Sequence, residues 1–138
     1  MSGEYVKRLK KRSESFLREA VTTIDKDLAM FFIEQAAQIY IKATYYELFG
    51  EKIRGHNIRN LLGTLLETLK QHGYNKESEK IKSFVNQYRE ELILAEEAYI
   101  ESRYGETCYS EEDVNKLLET SKKLINLLEE VSENVKLG

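Results

Sequence analysis

No proline occurs anywhere in the 138 residues, and this absence constrains the fold more than any residue present. Nothing locks φ or removes a backbone N–H, so helices can run long and stop only at glycines or polar caps. Apolar residues recur at three- and four-residue steps along nearly the whole chain, the period of amphipathic helix. Val6, Leu9, Phe16, Leu17, Ala20, Val21 and Ile24 form one such face, predicting a first helix over about residues 4 to 24. Asp25 and Asp27 offer N-cap chemistry for a second helix over about 27 to 49, which Gly50 ends.

That second helix is apolar nearly all round, from Leu28, Phe31 and Phe32 to Ala43, Tyr45 and Tyr46. Such a helix is central, with protein on several sides. Its polar residues Gln35, Gln38 and Lys42 fall at i, i+3 and i+7 and share one stripe. The stripe is read either as a site or as a satisfied internal network or dimer contact. A third helix opens after Gly55-His56-Asn57 with Ile58, Leu61, Leu62, Leu65, Leu66 and Leu69, and closes at Gly73. A fourth, about 76 to 103, carries Ile81, Phe84, Val85, Tyr88, Leu92, Ala95 and Tyr99 and breaks at Arg103-Tyr104-Gly105. A fifth starts at Ser110, which with Asp113 can form a capping box. The expectation is an all-α, up-and-down antiparallel bundle of about five helices in a single domain over 1–138.

Composition narrows the function. A formal net charge of −3 weighs against bulk binding of DNA or RNA, so any nucleic-acid contact has to be local. The basic run Lys7, Arg8, Lys10, Lys11 and Arg12 is read as a solvated helix face. The single cysteine, Cys108, cannot form an internal disulfide, lacks a visible base for nucleophilic work and has no zinc-site spacing around it. No apolar stretch reaches the length of a membrane span. The chain is expected to be cytoplasmic, with no membrane association, no metal and no cofactor.

Four features in order carry a resemblance. Asp27 to Lys42 contains an aspartate and alanine followed by Glu34-Gln35-Ala36 and then a lysine. Gly50 ends that helix, His56 sits just before the third, and Arg103-Tyr104-Gly105 closes the fourth. Over about residues 12–130 this resembles the HEPN domain, the higher eukaryotes and prokaryotes nucleotide-binding domain, also described as a nucleotidyltransferase substrate-binding subunit. The arginine-tyrosine pair is followed by glycine here, where the family has proline. The resemblance implies a helical bundle, usually dimeric, often encoded beside a small nucleotidyltransferase.

One branch of the family consists of metal-independent RNases, marked by an arginine, four to six residues and a histidine. After Arg103 those slots hold Cys108, Tyr109 and Ser110, and no arginine stands at that distance before His56 or His72, the only histidines. The chemistry needs a near-neutral base for a ribose hydroxyl proton, so RNase activity is not expected from the motif. In a related branch the nucleotidyltransferase modifies a tyrosine two residues beyond that histidine; here the slot is Ser110, with Tyr109 one position short. The favoured reading is therefore a non-catalytic nucleotide-binding or adaptor subunit, a homodimer working with a separately encoded nucleotidyltransferase. Arg103 serves as the phosphate fork, Tyr104 or Tyr109 as the base-stacking surface, and His56, Lys42 and Gln35 as further polar contacts. Against it stand a pairing of Arg103 with Glu34 and core packing of the tyrosines. The alternative is a toxin-like RNase or RNA-binding protein with a degenerate motif, for instance one in which the fold brings His56 near Arg103.

Overall fold

The computed structural model describes residues 2–138. Six helices follow one another: α1 (Ser2–Thr22), α2 (Lys26–Phe49), α3 (Ile58–Gln71), α4 (Asn75–Gln87), α5 (Arg89–Tyr104) and α6 (Glu111–Leu137), with no strand among the described residues. Their ends follow local chemistry. Asp25 caps α2 by accepting the Leu28 N–H at 3.1 Å, and Gly50, at φ +68°, takes the left-handed turn that ends it. Ser110 and Asp113 make the reciprocal capping box of α6.

The helix expected over 76–103 is two helices. Tyr88, at φ −108° and ψ 26°, steps out of helical geometry, although the i→i−4 bonds on both sides of it persist at 2.9 Å. The hydrophobic period runs through this kink without glycine or proline, so sequence pattern alone has nothing to register. The kink keeps α4 against α3 and α6 while α5 swings onto α2.

α2 is the axis, packed by α1, α3, α5 and α6, which accounts for its nearly uniform apolarity. Met30, Ile33 and Ile41 of α2 are fully buried with Ile58, Leu62, Leu65 and Leu69 of α3 and Leu117, Leu124 and Leu128 of α6. Against α1 it is antiparallel, since Tyr5, Ser13 and Phe16 meet Tyr46, Ala36 and Phe32 in turn. The expected up-and-down order fails at the next connection. Tyr45 meets Thr68 and Phe49 meets His72, so α3 runs parallel to α2. The segment 50–57 has no regular secondary structure; eight residues can reach about 26 Å, enough to travel back along the roughly 21 Å length of α3. This return delivers His56 to α5. Among the described residues no helix is long and apolar enough to cross a membrane.

Candidate functional site

Because α5 descends beside the rising α2, the C-terminal turn of α5 lies at the N-terminal half of α2. Arg103 is exposed there, and its guanidinium carbon lies 4.4 Å from the Phe31 ring centroid and 4.9 Å from those of Tyr99 and Tyr104. Its Nε and Nη2 donate to the Tyr99 carbonyl at 3.0 and 2.6 Å. Stacking on three rings and bonding a helix C-terminal carbonyl hold the group in place without neutralising it. Among the described residues Arg103 makes no ion pair with Glu34 or any other carboxylate.

The other face of the cluster comes from the returning segment. The His56 imidazole lies parallel to the Tyr99 ring, 4.4 Å between centroids and 5° between planes. Arg59, the second residue of α3, grips Glu96 with Nε and Nη2 at 2.8 and 2.9 Å and thereby ties the start of α3 to α5. Tyr99 is thus the hub on which His56 and Arg103 meet, although in the sequence it reads only as one more member of an apolar stripe. Helical spacing does place it one turn before Arg103; its contact with His56 has no sequence signal.

The polar stripe of α2 closes on Glu34, which is fully buried. Gln35 and Gln38 each donate from Nε2 to one of its carboxylate oxygens at 2.8 Å. Burial pushes this carboxyl up to about 7, against the lowering effect of the Gln38 and Gln35 hydrogen bonds and of the Arg103 and Lys42 charges. Lys42 and Gln35 are half-buried on the same side of α2. Sequence reading placed Gln35 and Lys42 correctly on one stripe but treated Glu34 only as a partner for Arg103, whereas the amides hold it.

The two tyrosines of the 104–109 segment part company. Tyr104 is 76% exposed at the end of α5. Tyr109 is 7% exposed, with its ring in the core and its N–H bonded to Asp27 at 2.8 Å. Its hydroxyl is buried without a partner, and burial, together with the Glu97, Glu101, Asp27 and Asp113 charges, pushes it up to about 12. A stacking surface in this segment is therefore offered by Tyr104, and Tyr109 acts as an anchor between α2 and α6. Of the basic run, Lys7, Arg8, Lys11 and Arg12 are exposed, while Lys10 turns inward to Glu47 at 3.0 Å.

The arrangement can therefore hold an anionic, planar ligand: an uncompensated guanidinium and an exposed aromatic surface at the N-terminal end of α2, whereas Lys42 stands on the same side of the helix but eleven residues, about 16 Å, further along it than Phe31. A family model for the HEPN domain matches residues 6–131. No curated protein and no solved structure matches the chain.

Proposed function

The chain belongs to the HEPN domain family, and from that premise we propose that it is a non-catalytic nucleotide-binding or adaptor subunit working beside a separately encoded nucleotidyltransferase. One observation carries the reading: Arg103 is positioned by rings and a carbonyl rather than by a carboxylate, so its charge and remaining N–H donors stay available to a phosphate. In this reading Tyr104 offers a base its exposed face, the His56–Tyr99 stack borders the phosphate, and Lys42, about 16 Å along α2 from Phe31, is a more distant polar contact.

The homodimer belongs to the same proposal. Leu28, Phe31, Gln35, Ile39, Lys42 and Tyr46 recur at three- and four-residue steps on α2 and are all half-buried. They leave a mixed apolar strip that a second copy can cover. Light scattering at micromolar concentration is expected to give twice the chain mass; a monomer would remove this part.

Thermal shift over a nucleotide panel tests the ligand. A nucleotide at 100 times its Kd adds about 2.7 kcal/mol to stability, and Arg103→Ala is expected to erase the shift. Flat traces for wild type with every nucleotide would sink the reading.

A second reading, RNA cleavage, is favoured by the convergence of His56 and Arg103 on Tyr99. In it His56 takes the proton from a ribose 2′-hydroxyl, the 2′-oxygen bonds to the adjacent phosphorus as the bond to the 5′-oxygen breaks, the leaving 5′-oxygen takes a proton from water, and Arg103 steadies the phosphate charge. Cleavage of mixed RNA by wild type that disappears in both His56→Ala and Arg103→Ala would displace the non-catalytic reading.

A further inference from the structure

Glu34 is 0% exposed, yet both of its hydrogen bonds come from neutral amides, Gln35 and Gln38, and no cation reaches ion-pair distance among the described residues. A buried carboxylate without a cation is unfavourable, and two amide bonds offset only part of that cost. The ring of Phe31, three residues before it on α2, carries the Arg103 guanidinium at 4.4 Å. The charges that act most on Glu34 are Arg103 from α5 and Lys42 from its own helix. A carboxyl thus lies one turn along α2 from the ring that carries Arg103, without forming an ion pair with it.

We propose that Glu34 is a proton-controlled counter-charge for the anion site: as a neutral acid it leaves Arg103 open to a phosphate, and as a carboxylate it cancels part of that charge and weakens the ligand's hold. Binding an anion then takes up one proton from water onto a Glu34 oxygen, and acidification strengthens binding by the same linkage. The burial that pushes the carboxyl up to about 7 puts this exchange near neutrality. The inference rests on the phosphate-site reading, but it has a readout that needs no ligand.

That readout is a carbon-13 NMR titration of the glutamate carboxyls in wild type, Glu34→Gln and Arg103→Ala. One carboxyl is expected to titrate near neutral pH, to be missing in Glu34→Gln and to titrate higher in Arg103→Ala, where a favourable positive charge is gone. All glutamates titrating in the ordinary acidic range, or a neutral one indifferent to Arg103, would overturn the counter-charge. The second arm measures AMP affinity at pH 6 and pH 8. The ratio of wild-type to Glu34→Gln affinity is expected to fall by up to about tenfold across that span, the limit for one proton titrating in the middle of it. Parallel pH profiles with binding intact would overturn the counter-charge alone. Loss of AMP binding in both proteins at pH 6 would overturn the phosphate reading, and with it the switch, even if the titration shows Glu34 and Arg103 coupled.

Discussion

Glu34 and Glu47 stand on the same helix, yet the fold treats them in opposite ways. Glu47 receives Lys10 from α1 at 3.0 Å and Lys136 from α6 at 2.6 Å, so one carboxylate ties three helices together. Glu34 is more deeply buried and receives only two amides of its own helix, while the nearest guanidinium lies on aromatic rings. At the Glu47 end charge serves architecture and is cancelled. At the Glu34 end both signs are present and left unpaired, an arrangement that costs stability and leaves a cation available to a ligand.

The two carboxyls should therefore give opposite pH slopes. Glu34 has a folded value of about 7 against an ordinary 4.5, so the folded state binds the extra proton between those values and stability falls as pH rises through them. Ionising it costs roughly 3 kcal/mol by pH 8. Glu34→Gln is expected to be more stable than wild type by about that amount at pH 8 and to match it near pH 4, as measured by urea unfolding. Equal stability at pH 8 would mean the carboxyl is already paired and the contrast is false.

Glu47→Ala is the next largest change and runs the other way. Burial raises the Glu47 carboxyl, but hydrogen bonds from Lys136 and Lys10 outweigh it and the net effect is a lowering. Its contribution is full above the ordinary carboxylate value and drains away as pH falls through the lowered folded one. The variant is expected to lose about 1 to 2 kcal/mol at pH 7, with the loss shrinking in high salt. A salt-independent loss in urea unfolding would assign it to packing.

The smallest effect is the sharpest test of the ligand end. Arg103 is exposed and makes no ion pair, so Arg103→Ala should change stability by less than about 0.5 kcal/mol. Thermal unfolding without ligand measures it, and a larger loss would mean the cation–ring cluster is structural rather than held for a partner.

Much of the bundle was legible in the residues. Caps at Asp25 and Ser110, the stop at Gly50 and the lining of α3 follow from local chemistry that reaches no further than a few positions. The kink at Tyr88 was not legible, because it breaks neither the apolar period nor the hydrogen-bond ladder. Nor was the direction of α3, since an irregular segment of eight residues is long enough either to turn back or to continue. The site was half legible: Arg103, His56, Gln35 and Lys42 stand out by type. Tyr99 looks like core, and the contrast between exposed Tyr104 and buried Tyr109 depends on which way one short loop packs.

From its residues alone this chain was committed to helix, because no proline interrupts a sustained 3.6-residue period, and to a central second helix, because that segment is apolar nearly all round. Only the tertiary structure decided which charges would meet. Pairing Lys10 and Lys136 with Glu47, leaving Glu34 to its amides and seating Arg103 on Phe31 and Tyr99 bring together groups on different helices. Coulomb energy depends on distance in space, which helical periodicity does not encode.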